Sequence, residues 1–92
     1  MSRITIHRSH HMSLDSLLEQ VEHLAEKLID KYGGDYEWDG DDLTYTYSGG
    51  LTAQVSCTDE DVSVDVKLGL LMTMLKGTIQ REIEDYLDKH VS

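Results

Sequence analysis

The sequence contains no proline, a single cysteine and a single tryptophan among its 92 residues. Because Cys57 has no second cysteine to pair with, an intrachain disulfide is excluded, and we expect a small buried thiol. No run of about 18 apolar residues is present, so the sequence predicts no membrane-spanning helix. Basic residues are also scarce. The 8 lysines and arginines stand against 18 aspartates and glutamates, which gives a formal net charge of −10.

The scarcity of bases is most pronounced between residues 35 and 65, where no lysine or arginine occurs. We expect this surface to repel phosphate backbones and anionic lipid headgroups, so nucleic-acid binding is not expected. A glycine-rich phosphate loop, a nucleophile elbow and a Cys–His arrangement are all missing from the sequence. Asp65 is the best candidate for a functional carboxylate, but we expect it to be solvated or paired on the Lys67 side of the sheet. The sequence therefore predicts neither an enzyme nor a cofactor site.

Two segments contain residue types that bind metals. His7, His10 and His11 lie close together in sequence, but adjacent residues point apart on a regular element, so a structural role before the helix is the preferred interpretation. The segment Asp35–Gly40 begins like a calcium loop, yet its twelfth position is Thr46 rather than the required glutamate. We therefore predict no metal site.

One-sided alternation of apolar and polar residues is the most informative pattern in the chain. Such a period of two indicates strands with one buried face and one wet face. A first strand is predicted over residues 3–8, and a second begins at Tyr36 and Trp38. The apolar positions of the other three predicted strands are Leu43, Tyr45 and Tyr47; Leu51, Ala53, Val55 and Cys57; and Val62, Val64, Val66 and Leu68.

Two amphipathic helices are predicted around residues 13–32 and 69–90. Ser13 is a good N-cap, and Gly33 supplies the left-handed conformation that commonly ends a helix. The turns between the predicted strands are short, which favours antiparallel neighbours. We therefore predict a single α+β domain over residues 1–92, with the order strand–helix–four strands–helix. Both helices would cover one face of an antiparallel sheet, in a helix-grip-like arrangement.

The second predicted helix is unusual because its first two turns are apolar nearly all round. On a 100° wheel its core stripe consists of Leu68, Leu71, Met72, Leu75, Ile79, Ile83 and Tyr86. Leu70 and Met74 lie off this stripe. They could pack against the first helix or a second copy, or they could form an exposed docking patch. We take Leu70, Met72 and Met74 as the candidate partner-binding residues.

Three stretches of the chain together resemble a known family. They are Ile4–Arg8, Tyr36–Leu43 and Val64–Leu71, the last continuing through Ile79–Ile83 to Leu87. The chain resembles the small polyhydroxyalkanoic acid system proteins, which are associated with granule regions in bacteria, and the similarity extends over nearly the whole sequence. The resemblance implies a cytoplasmic, granule-associated accessory protein without catalytic residues.

Three functional hypotheses follow. The first is a non-enzymatic protein of the polyhydroxyalkanoate system that binds a granule or a granule-associated protein through the apolar patch. The second is a carrier of a small apolar acid, such as a hydroxyacyl or fatty acid, in a cavity lined by Tyr45, Tyr47, Val64 and Ile79. The third is a structural homodimer.

Overall fold

The computed structural model describes residues 2–92. Its five strands are β1 (Ser2–Ser9), β2 (Asp35–Asp39), β3 (Asp42–Tyr47), β4 (Leu51–Cys57) and β5 (Asp61–Leu68). Its helices are α1 (Leu14–Tyr32), a 3₁₀ helix (Leu70–Leu75) and α2 (Lys76–His90). The α+β fold class and the order strand–helix–four strands–helix are thereby confirmed.

The five strands form one antiparallel sheet in the order β1-β5-β4-β3-β2. Its register aligns the apolar residues in continuous rows across the sheet, because every strand pair keeps the same face inward. The two central rows are Ile4–Val66–Ala53–Tyr45–Tyr36 and Ile6–Val64–Val55–Leu43–Trp38.

Both helices cover this apolar face. α1 contacts β3 and β4, α2 contacts β1, and the buried side chains of all these elements form one core. The predicted cap of α1 is confirmed, since the Ser13 hydroxyl accepts a hydrogen bond from the Ser16 N–H at 3.2 Å. Gly33 ends α1 with φ at +92°. The indole N–H of Trp38 donates to Glu22 at 2.9 Å, which ties α1 to the edge strand β2.

The two ends of the sheet have different compositions. At the end that we call the glycine end, β4 begins and β5 finishes, and the Gly69 N–H donates to the Gly50 carbonyl at 2.7 Å. At the opposite end, which we call the acidic end, two short turns connect β2 to β3 and β4 to β5. These turns and their flanking residues contain Asp39, Asp41, Asp42, Asp59, Glu60 and Asp61.

The expectation of one continuous helix over residues 69–90 is wrong. A 3₁₀ helix occupies residues 70–75, and the α-helix begins only at Lys76. No side chain caps the start of either helix, and Gly77 lies in the first turn of α2. Both features weaken the start of an α-helix, so the tighter turn can take its place. No helix within residues 2–92 is both long and apolar enough to cross a membrane.

Candidate docking site

The 3₁₀ helix is fixed firmly to the glycine end of the sheet. Gly69 and Gly50 are packed in contact, since a Cβ on Gly69 would lie 3.4 Å from the Gly50 Cα and carbonyl oxygen. The Gly69 carbonyl accepts hydrogen bonds from the Met72 N–H at 3.0 Å and from the Thr73 hydroxyl at 3.2 Å. The first turn of the helix is therefore positioned by backbone hydrogen bonds, and Gly50, with φ at +110°, adopts a conformation that favours glycine.

The threefold period of this helix decides which of its side chains reach the core. In a 3₁₀ helix residues three apart share a face, so Met72 and Leu75 lie on one side while Leu71 and Met74 lie on another. Met72 is buried, whereas Leu75 is exposed by 36% of its surface. By contrast, Leu70, Leu71 and Met74 are exposed by 79%, 86% and 90% of their surface. We call these three residues the apolar patch.

The predicted partner-binding residues therefore separate into two groups. Leu70 and Met74 lie on the surface, whereas Met72 supports the patch from beneath. The placement of Leu71 and Leu75 in the core stripe was wrong, because the 100° wheel assumed an α-helix where the chain forms a 3₁₀ helix. Position 69 is a glycine and therefore offers no capping side chain, which was the signal in the sequence against an α-helix that begins there.

The patch lies in a part of the chain that contains no acids. Between Asp65 and Glu82 the only charged residues are Lys67, Lys76 and Arg81, although the whole protein has a net charge of −10. Within Gly69–Leu75 there is no charged side chain at all. An apolar surface could therefore cover the patch without removing a charge from water.

The interior offers little room for a carried ligand. A void between α1 and the sheet measures about 10 Å³, enough for roughly one water molecule. Tyr45 and Val64 line it, as the carrier hypothesis proposed, but Tyr47 and Ile79 do not. The space that an acyl chain would need is filled by buried side chains. The structure therefore gives no support to the carrier hypothesis.

Asp65 is paired on the polar face of the sheet that it shares with Lys67. Its carboxylate accepts hydrogen bonds from Arg3 on the neighbouring strand β1, one of them from the Arg3 Nε at 2.7 Å. This hydrogen bonding and the charge of Arg3 lower the pKa of Asp65 below its ordinary value. The carboxylate therefore stays ionised at neutral pH and is poorly suited to general acid catalysis.

The three histidines near the start of the chain do not converge. His10 is buried, its Nδ1 accepts from the Met12 N–H at 3.1 Å, and its Nε2 lies 2.8 Å from the Thr58 carbonyl oxygen. His10 thus fastens the turn before α1 to the β4–β5 turn. His7 lies 3.6 Å from Asp61 on the surface, and His11 is exposed. Across residues 2–92, no three side chains of His, Cys, Asp or Glu are grouped as metal ligands.

Cys57 is a core thiol at the end of β4, where 5% of its surface is exposed. Burial is the main cause that raises the pKa of this thiol to about 11, and the nearby carboxylates of Asp42 and Asp41 add to the shift. Only the thiolate is a strong nucleophile, so the position is poorly suited to covalent catalysis.

We expect native Cys57 to resist alkylation. With a pKa of about 11, about one thiol in a thousand is ionised at pH 8, and its burial further slows the approach of a reagent. Iodoacetamide labelling followed by mass spectrometry should be slow for the native protein and fast in guanidinium chloride. Equal labelling rates in the two conditions would contradict the buried position.

These features define a small α+β protein with a filled core and one exposed apolar patch at the end of its sheet. The chain belongs to the family described as "Putative polyhydroxyalkanoic acid system protein", which matches residues 4–91. The family predicted from the sequence resemblance is thereby confirmed.

A solved structure shows the same fold. It is described as "NMR structure of PA4090 from Pseudomonas aeruginosa", and it matches with a TM-score of 0.64 at 12% sequence identity. The similarity covers 97% of this chain and 83% of that one. A search of curated proteins finds no match.

Proposed function

We propose that this chain is a non-enzymatic accessory protein of the polyhydroxyalkanoate system, and that it binds storage granules in the cytoplasm through Leu70, Leu71 and Met74. The observation that supports this is the exposure of these three large apolar side chains, by 79–90% of their surface, on one 3₁₀ helix, while the large apolar side chains of the strands and α-helices are buried or partly buried. The family description suggests polyhydroxyalkanoate as the binding partner, and the patch is an apolar surface that could contact this apolar polymer.

The physical case rests on the hydrophobic effect and on rigidity. Fully burying a leucine or methionine side chain contributes about 1.5–3 kcal/mol, and a flat surface would bury roughly half of each exposed side chain. The backbone beneath the patch is held by Gly50 and Gly69 and by buried Met72, so binding would order few additional groups. Three such side chains together would contribute about 2–4.5 kcal/mol, which favours weak, reversible binding.

We expect Leu70→Ser combined with Met74→Ser to weaken granule binding by roughly tenfold to a hundredfold, since two half-buried apolar side chains contribute about 1.5–3 kcal/mol together. The measurement is co-sedimentation of purified protein with isolated polyhydroxyalkanoate granules, with the free fraction determined at several granule concentrations. Because both side chains are exposed, the thermal unfolding midpoint should stay within a few degrees of the wild-type value.

The matched control is Met12→Ser, which removes a half-buried methionine near the acidic end, outside the core. It should bind granules like the wild-type chain. If the double variant also binds like the wild type, the patch is not the docking surface.

Two further measurements separate this proposal from its alternatives. Neutral phosphatidylcholine vesicles should pellet less protein than granules do if the polymer surface itself is recognised. Light scattering after size exclusion tests the homodimer hypothesis. A dimer that dissociates in the Leu70→Ser, Met74→Ser variant would assign the patch to a second copy of the chain and overturn the docking proposal.

A further inference from the structure

Charge is distributed unevenly between the two ends of the molecule. The two turns at the acidic end lie side by side, because the Cys57 N–H at the end of β4 donates to the Asp41 carbonyl at 3.2 Å. The His10 N–H donates to the Glu60 carbonyl at 2.9 Å, which places the start of α1 beside the same turns. Asp39, Asp41, Asp59 and Glu60 are exposed there. The solvent-exposed surface at this end therefore carries a concentrated negative charge.

The positive charges are concentrated toward the glycine end, where the patch lies. α1 runs from the acidic end to the glycine end, and α2 returns, since the His11 N–H donates to the Ser92 carbonyl at 2.7 Å. Six of the eight lysine and arginine residues lie in the part of their element that is nearer the patch, whereas Arg8 and Lys89 lie toward the acidic end. The six near the patch are Arg3, Lys27, Lys31, Lys67, Lys76 and Arg81.

The acids near the glycine end are partly neutralised by these bases. Lys31 forms an ion pair with Glu82, which joins the end of α1 to α2, and Arg3 forms one with Asp65. The protein thus resembles an amphiphile, with an uncharged apolar tip at one end and most of its excess negative charge at the other.

We propose that the chain stands end-on at the polymer surface, with the apolar patch in contact and the acidic end projecting into water. In this orientation the bound layer gives the granules a negative surface charge that opposes their coalescence. The inference rests on the proposed function and adds to it an orientation and a role.

The length of the molecule determines how far the acidic end would lie from the polymer surface. The backbone extends over 37 × 22 × 19 Å, and the 19-residue helix α1, which connects the two ends, is about 28 Å long and exceeds each of the two shorter dimensions. Electrostatic screening in 0.1 M salt has a length of about 10 Å. Charges at the acidic end therefore determine the potential at the outer boundary of the layer, while charges close to the polymer are screened before they reach it.

The test compares two triple variants that have the same net charge. Asp41→Lys, Asp59→Lys and Glu60→Lys reverse exposed charges at the acidic end. Glu26→Lys, Asp30→Lys and Asp35→Lys reverse exposed charges nearer the glycine end. Each set changes the formal net charge from −10 to −4. The probe is a suspension of poly-3-hydroxybutyrate particles in 0.1 M salt, followed by electrophoretic mobility, dynamic light scattering and co-sedimentation.

We expect the wild-type chain to make the particles more negative and to slow their aggregation. At equal bound protein, the acidic-end variant should lose roughly half or more of the added mobility, whereas the glycine-end variant should lose little. Equal losses from the two variants, or particles that aggregate as fast when coated as when bare, would overturn the end-on layer while leaving granule docking intact. If the wild-type chain does not bind the particles, both proposals are overturned.

Discussion

Replacing Tyr45 with alanine is expected to lower the free energy of unfolding by about 3–5 kcal/mol. Tyr45 lies in the middle of β3, is fully buried and is one of the largest side chains in the core. Its ring faces the void beneath α1, so truncation would enlarge an existing cavity rather than allow the neighbouring side chains to close over it.

The hydroxyl of Tyr45 has a second structural role. It donates a hydrogen bond to the Gly33 carbonyl at the end of α1, so the side chain also fixes where the helix stops. Burial, with smaller contributions from Tyr32 and Tyr47, raises the pKa of this phenol above its ordinary value, so the hydroxyl remains a donor at neutral pH. Alanine would remove this bond together with the ring.

Urea denaturation followed by circular dichroism measures the effect. A 92-residue domain has a total stability of about 5–14 kcal/mol, so the alanine variant should lose a large fraction of it and unfold at a much lower urea concentration. Tyr36→Ala is the matched control, because Tyr36 pairs with Tyr45 in the same row but is only half-buried on the edge strand β2. Equal losses from the two substitutions would contradict the central position of Tyr45.

The sheet was predictable because its signal is local. Within each strand the alternation of apolar and polar residues fixes which face is buried, and short turns make most neighbours in sequence neighbours in space. Residues 51–57 and 62–68 show this most clearly, since every second side chain is buried in the structure. The cap at Ser13 and the helix end at Gly33 are equally local, and both were predicted correctly.

The pairing of elements that are distant in sequence, and the type of helix formed by residues 70–75, were harder to predict from the sequence. Arg3 reaches Asp65 only because β1 lies beside β5 in a register that places Arg3 opposite Lys67 and Thr5 opposite Asp65. The sequence between them does not encode that register. The 3₁₀ helix differs from an α-helix by 20° per residue. Over six residues, that small difference moved Leu71 from the predicted core to the surface.

The candidate site was therefore only partly predictable. Its apolar composition was visible in the sequence, and Leu70 and Met74 were chosen because they lie off the helical stripe. The asymmetry of charge was not visible, because it depends on which turns meet at the same end of the sheet. Asp41 and Glu60 are distant in sequence, yet their turns are neighbours in the fold.

A Gly34→Ala substitution is expected to destabilise the fold by about 2–4 kcal/mol, because two separate costs combine at this position. Gly34 has φ at +98°, a conformation that alanine adopts with strain. A Cβ there would also lie 2.4 Å from the carbonyl oxygen of Thr46, which belongs to the backbone of β3 and cannot rotate away. The start of β2 would have to move away from β3.

Gly40→Ala separates the two costs, because Gly40 also has a positive φ, at +64°, but no atom lies within 4 Å of its added Cβ. We expect it to lose only about 1 kcal/mol, the cost of the backbone conformation alone. Thermal and urea unfolding of both variants give the comparison. Since Gly34 follows the residue whose carbonyl accepts from Tyr45, Gly34→Ala should also weaken that hydrogen bond, and the double variant Gly34→Ala, Tyr45→Phe should lose less than the sum of the single losses. Equal losses at positions 34 and 40 would show that β2 can shift freely, and that the close contact with Thr46 does not fix the junction between α1 and the sheet.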